Sequence, residues 1–227
     1  MTKEIAQLEP EDFTILVDED QENDHWLNTM LQELAPLIEE PPHVHVVDWA
    51  DNNFRLSKGT QGASARWRTR PEQKAILHHM SADSDCELVV IPKSSQVGAT
   101  TMALIISAKS LVDGNSCALW EPTLADRDSV SQTVVNAMFQ QNPVMANLLD
   151  GSIDTGNKSN KMAMKVMKSG AVWHILPAGS PTHFRRLTIS NGAPVIGDEY
   201  SAWAADIGGA GAGLVLMQGR QLSLIHI

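Results

Sequence analysis

The feature that most restricts the fold is an alternation of short apolar runs with helical patterns in the middle of the chain. Leu88-Val89-Val90-Ile91 is an apolar run suited to a buried parallel strand. A loop from Pro92 to Gly98 follows, then a helical pattern from Thr100 to Val112 that Gly114 closes. Cys117-Ala118-Leu119-Trp120 repeats the strand signature, and a second helix is predicted from Leu124 to Gln141, stopped by Asn142-Pro143. Strand, helix, strand, helix is the pattern of a parallel sheet with right-handed crossovers, so the fold class is α/β. Further on, Met162 to Met167 and Val172 to Leu176 flank Ser169-Gly170 and read as a hairpin. Ala193-Pro194-Val195-Ile196 leads straight to Asp198-Glu199.

Upstream of this core, residues 1–48 form an acidic extension. Within it His25 to Ile38 is amphipathic, with Trp26, Leu27, Met30, Leu31, Leu34 and Leu37 at helical spacing, and Pro41-Pro42 ends the pattern. Such a face packs on its own domain or docks to a partner protein. Pro71 to Met80 reads as a short helix with proline in its first turn.

At 227 residues, one sizeable α/β domain plus the extension is expected and no second complete domain. The 43% hydrophobic and 19% charged shares fit a soluble globular protein, and no apolar run approaches membrane-spanning length. Met1 to Asp20 lacks the apolar core of a signal peptide, so a cytoplasmic location is expected. In that compartment Cys86 and Cys117 read as reduced thiols. The histidines at 43, 45, 78 and 79 lack a partner set with metal-ligand spacing. The formal net charge of -10 opposes sequence-independent phosphate binding, so any DNA contact must be local, transient or supplied from elsewhere.

A strand that feeds a glycine-containing loop and then a helix places free backbone N–H groups where phosphate oxygens bind. Lys93-Ser94-Ser95-Gln96-Val97-Gly98-Ala99-Thr100 occupies that junction. Against the pattern G-x-x-x-x-G-K-[ST], Gly98 supplies the second glycine and Thr100 the hydroxyl, whereas Lys93 stands for the first glycine and Ala99 for the lysine. The flexible stem of Lys93 can fold back over the loop and restore the missing cation. An ordinary strand–turn–helix junction explains the same residues equally well when they are taken alone. The second element is Pro194-Val195-Ile196-Gly197-Asp198-Glu199, a short apolar strand with carboxylates at its carboxyl end, where α/β sheets bind ligands. In phosphate-loop ATPases the aspartate helps hold Mg2+ and a following glutamate polarises the attacking water, roles that fall here to Asp198 and Glu199.

From Trp49 to Arg220 the chain resembles the terminase large subunits of tailed phages, of the gpA type. The resemblance rests on Trp49-Ala50-Asp51, the loop from Lys93 to Gly98, Trp120-Glu121-Pro122-Thr123, and the block from Gly179 to Leu187 followed by the Asp-Glu pair. Asp206-Ile207-Gly208-Gly209 and Arg220 also fit. It implies a P-loop NTPase core of additional-strand, RecA-like topology that uses ATP and Mg2+ to drive double-stranded DNA into a procapsid. It further implies a small terminase subunit and the portal protein as partners, a homo-oligomer when full length, no membrane association, and a place in the host cytoplasm.

By the same resemblance, a lysine at the first loop position can serve the phosphates, as Lys93 would. Ser94, Ser95, Gln96, Val97, Gly98, Ala99 and Thr100 complete the nucleotide loop, with Thr100 and Asp198 toward the metal. Arg186, or its neighbour Arg185, would stabilise charge on the γ-phosphoryl group, unless both are surface cations or DNA contacts. Arg220 would act on a neighbouring subunit's nucleotide. Trp67, Arg70 and Gln73, upstream of the loop, are the candidates for reading the adenine. The chain departs from the family at Ala99, where many relatives have a second lysine, and at Ala210, Ala212 and Gly213, where an acidic residue and an Asp-Pro pair are usual. Residues 49–220 are thus expected to be an incomplete ATPase domain and 221–227 an irregular truncated tail. Two other functions remain open at this stage: a catalytically weak nucleotide-binding adaptor for the small subunit, and a helicase-like translocase.

Overall fold

The computed structural model describes residues 29–30, 43–56, 66–92, 98–149, 160–185, 187, 189, 193–218 and 224–226, with residues 218 and 224–226 by backbone alone. The chain divides into residues 1–43 and 44–227. Of the first unit, Thr29 and Met30 are helical and exposed, and the remainder of the amphipathic pattern from His25 to Ile38 lies outside the described residues.

The second unit opens with α1 (Val46–Asn53), whose first turn is capped by the His45 ring nitrogen accepting from the Val47 N–H. Its buried Val46, Val47, Trp49 and Ala50 lie on one side of the helix, so the division drawn after Asp48 from sequence falls inside this element. Helix α2 (Pro71–Met80) begins on its proline, as predicted, and buries Gln73, Leu77 and Met80. Strand β1 (Leu88–Val90) leads to α3 (Ala99–Val112), and β2 (Cys117–Glu121) follows. Gly114, at φ 81°, closes α3 as the sequence suggests.

The single helix predicted from Leu124 to Gln141 is a continuous helical path with a π-turn inside it. Helix α4 (Leu124–Ser129) buries none of its side chains, the π-helical Val130–Val135 follows, and α5 (Asn136–Gln141) buries Met138 and Phe139. The wider turn re-registers the apolar face toward the core, a function that a uniform 3.6-residue period cannot reveal. Asn142 then breaks the path before α6 (Pro143–Leu148).

The hairpin forms between β4 (Met164–Val166) and β5 (Val172–Pro177), with β3 (Asn160–Lys161) added outside β4. A short helix, α7 (Thr182–Arg185), precedes β6 (Val195–Gly197), and α8 (Gly213–Gln218) follows it. The tail expected to be irregular contributes strand β7 (Leu224–His226). Its backbone pairs parallel to both β1 and β6, which a three-residue stretch, Leu224-Ile225-His226, gave no periodicity to foresee.

The sheet order is β1-β7-β6-β2-β5-β4-β3. Pairings from β1 through β5 are parallel, and β5–β4–β3 is antiparallel. Strand β1, expected to be buried, lies at the sheet edge with Val90 56% exposed, because among the described strands it has a neighbour on one side only. Alternation along β2 covers both faces: Cys117 and Leu119 enter a core with α1, α2, α3 and α5, while Ala118 and Trp120 enter a second core with Phe184, Val195, Trp203 and Met217. Both cysteines are free, and burial pushes the Cys117 thiol up, which keeps it protonated and unreactive. Among the described residues no helix is long and apolar enough to cross a membrane.

Candidate functional site

The site lies where α3 begins and β6 ends. Gly98 caps α3 in the left-handed conformation, φ 81° and ψ 21°, which a side chain disfavours. Space is tight as well: a Cβ there would come within 3.1 Å of the Gln73 amide nitrogen, which would have to give by a few tenths of an ångström, and would lie 3.8 Å from the Trp67 ring. Gly98→Ala is therefore expected to cost about 1–2 kcal/mol in denaturant unfolding; an unchanged midpoint would show that the backbone relaxes freely at this joint.

In the first turn of α3, the Thr100 hydroxyl donates to Asp198 Oδ2 at 3.2 Å, across 98 positions of sequence. Asp198 is only 5% exposed, and its other oxygen accepts from the Glu199 N–H at 2.8 Å. Its backbone is fixed on both sides, the N–H donating to the Trp120 carbonyl at 3.0 Å and the carbonyl accepting from the Trp203 indole at 2.9 Å. The carboxylate is thereby aimed at the N-terminus of α3, where partial positive charge favours anions. Glu199 is exposed and sits at φ 49° and ψ 40°, the one non-glycine residue with positive φ among those described. Such a conformation costs about 1–2 kcal/mol and persists where surrounding contacts enforce it.

A threonine hydroxyl and an aspartate oxygen in contact are the hard donors that Mg2+ accepts alongside water and phosphate oxygens, so these two residues suit that ion. Ala99, in contrast, is buried in the first core and supplies packing rather than charge. Trp67 and Gln73 are brought to the end of the loop. Trp67 is 6% exposed and spends its indole N–H on the Thr69 hydroxyl at 2.8 Å, while Gln73 accepts from the Arg70 N–H at 3.0 Å. Arg185 is exposed on α7. Lys93, Ser94, Ser95, Gln96, Val97, Arg186 and Arg220 lie outside the described residues.

Sequence reading missed Trp203. Besides holding the Asp198 carbonyl, it packs edge-on against Phe184, which stacks on Trp120 with ring centroids 5.1 Å apart. Two glycines make room for it: a Cβ on Gly197 would approach its ring to 3.0 Å and one on Gly213 to 2.5 Å. The signal available was the pairing of small residues with a lone indole just after the carboxylates. It also accounts for Gly213, a departure from the family pattern, as a packing requirement here.

Residues 59–225 match the family described as phage terminase large subunit gpA, ATPase domain. Among curated proteins, the chain is 28% identical over 163 residues to the terminase large subunit of Escherichia phage lambda, covering 71% of this chain and 24% of that protein. It is 24% identical over 168 residues to the terminase large subunit of Enterobacteria phage P21, covering 74% of this chain and 25% of the relative. The chain thus spans about a quarter of the length of these relatives. With the family match covering most of the chain, and the loop end and carboxylate strand meeting inside the matched region, the chain belongs to the ATPase domain of the phage terminase large subunit gpA family.

Proposed function

We propose that this chain forms the ATPase core of a viral DNA-packaging motor, which couples ATP hydrolysis to translocation of double-stranded DNA into a procapsid. The observation that carries this reading is the contact of the Thr100 hydroxyl with the buried Asp198 carboxylate. It joins the two halves of a phosphate-loop ATPase site at the carboxyl end of the parallel strands, where such sheets bind nucleotides. The insertion of β7 between β1 and β6 supports the additional-strand, RecA-like class, since it separates the phosphate-loop strand from the carboxylate strand by one strand.

In this reading the backbone from Lys93 to Thr100 cradles the phosphates and the Lys93 amine neutralises them. Thr100 and Asp198 would hold Mg2+, which would supply charge neutralisation to the triphosphate when bound. Glu199 orients and deprotonates water, and Arg186 steadies charge on the departing γ-phosphoryl oxygens. Trp67 and Gln73, already against Gly98, form the adenine-side wall of the loop. The small terminase subunit and the portal protein are the assigned partners, in an oligomeric ring acting in the host cytoplasm.

The test is nucleotide binding. Lys93→Ala is expected to weaken Mg2+-ATP binding by roughly 10- to 100-fold in calorimetry or fluorescence titration, the loss of a charge-assisted phosphate contact. An unchanged affinity would remove the displaced cation from the scheme, and a wild-type chain that binds no nucleotide would overturn the reading.

A further inference from the structure

Charge is distributed unevenly along the chain. Residues 1–42 carry 12 acidic and one basic side chain, so residues 43–227, with 16 basic and 15 acidic, are close to neutral. Within the latter, residues 55–74 hold six of the 17 lysines and arginines against a single carboxylate, Glu72. A net negative composition therefore conceals a concentrated basic segment.

The structure arranges that segment as a row. Arg66-Trp67-Arg68-Thr69-Arg70 alternates exposed, buried, exposed, half-buried, exposed, and Arg70 has the extended angles φ -76° and ψ 156°. The inward side is fastened: Trp67 donates to Thr69, and Thr69 donates through both its N–H and its hydroxyl to Asp51 at 2.7 Å. With the odd members turned in, the three arginines stand on the outer side at intervals of roughly 6.6 Å, two residues of extended chain. That spacing is close to the separation of successive phosphates along a nucleic acid strand.

Arg55 joins the row by pairing with Arg66 in an isolated antiparallel bridge. Paired residues of such a bridge present their side chains on one face, and like charges directly opposite each other are destabilising. The backbone of Arg55 is nonetheless pinned there by both ends of the buried Asn142 amide, at 2.5 and 3.1 Å. Among the described residues the ion pairs involve none of the four arginines. Arg66 donates to the Asp51 carbonyl and to Asn52, whereas Arg55 and Arg68 have no side-chain hydrogen bond within the described residues. Four arginines gathered on one exposed segment, none of them in an ion pair among the described residues although Asp51 and Glu72 lie near, suit a polyanion, and the planar fork of arginine matches phosphate oxygens bidentately.

We propose that Arg55, Arg66, Arg68 and Arg70 form the surface on which this chain holds the phosphate backbone of double-stranded DNA. The proposal rests on the packaging-motor reading for the identity of the polyanion. It also supplies a short mechanical path, because Trp67, between two of the arginines, lies beside the glycine that ends the phosphate loop, its ring 3.8 Å from where a Cβ on Gly98 would stand. DNA load on the outer side and nucleotide state on the inner side then act on one five-residue segment.

The test is salt-dependent binding of a short labelled duplex to the 227-residue chain, followed by anisotropy. The double variant Arg55→Gln/Arg68→Gln is expected to bind roughly tenfold more weakly at low salt, with the slope of log K against log salt reduced by about 1.8, near 0.9 per lost phosphate contact. Arg55→Lys/Arg68→Lys should keep most of the slope, and binding of a fluorescent ATP analogue with Mg2+ should not change in either. A slope unchanged by the glutamine pair overturns the proposal, as does a wild-type chain that binds nucleotide but no duplex, an outcome that leaves the ATPase reading standing. If the glutamine pair instead loses affinity for a peptide of residues 1–42 while duplex binding is unaltered, the row serves the acidic extension and the proposal fails.

Discussion

Replacing Glu199 with glutamine is expected to lower ATP turnover by roughly 100- to 1,000-fold, the usual contribution of a positioned general base, while Mg2+-ATP affinity stays within about twofold. The substitution preserves shape and removes only the ability to accept a proton. Glutamine meets the same backbone strain at φ 49°, so stability should move little. Asp198→Asn should behave differently, because Asp198 is buried, receives the Thr100 hydroxyl and is the residue proposed to hold Mg2+; there the loss should fall first on the Mg2+ dependence of binding. Phosphate release, with and without duplex DNA, together with a Mg2+ titration, separates the two. Equal turnover in wild type and Glu199→Gln would take Glu199 out of the chemistry and leave a nucleotide-binding adaptor as the better description.

The contrast between those two carboxylates shows which parts of the site were legible in sequence. The pair at 198 and 199 was legible only together with the loop on an earlier strand, because an Asp-Glu pair taken alone is far more often a solvated surface pair than a ligand site. Thr100 was legible through the spacing from Gly98. What joins them across 98 positions is the sheet order, which sets β6 beside β2 and fixes Asp198 against Trp120, a long-range pairing that no local pattern in the sequence carries. The βα alternation was readable for the same reason that its details were not. Buried parallel strands and core helices both read as apolar runs, so Val90 gave no sign of its edge position and the π-turn at Val130–Val135 left the period of Leu124 to Gln141 almost intact. The arginine row was hidden differently, by a net charge of -10 that averages an acidic extension with a basic segment.

Trp203 is a site residue whose loss should also disturb the fold strongly. Trp203→Ala removes a buried indole from the aromatic group it forms with Phe184 and Tyr200, and leaves the cavity that Gly197 and Gly213 were small enough to accommodate. The expected cost is about 3–5 kcal/mol in denaturant unfolding, a large share of the 5–15 kcal/mol that typically holds a domain together. Part of that cost is packing and part is the hydrogen bond to the Asp198 carbonyl, and Trp203→Phe divides the two, since phenylalanine keeps most of the ring contact and cannot donate. The lost bond leaves a buried carbonyl unsatisfied, for about 1–3 kcal/mol. If the indole also aims the carboxylate, the phenylalanine variant should need several-fold more Mg2+ for half-maximal ATP binding, whereas a purely structural tryptophan would lower the unfolding midpoint and leave that Mg2+ requirement unmoved. The second result would reduce Trp203 to core packing; the first would make the aromatic group behind β6 part of the machinery that sets the metal site.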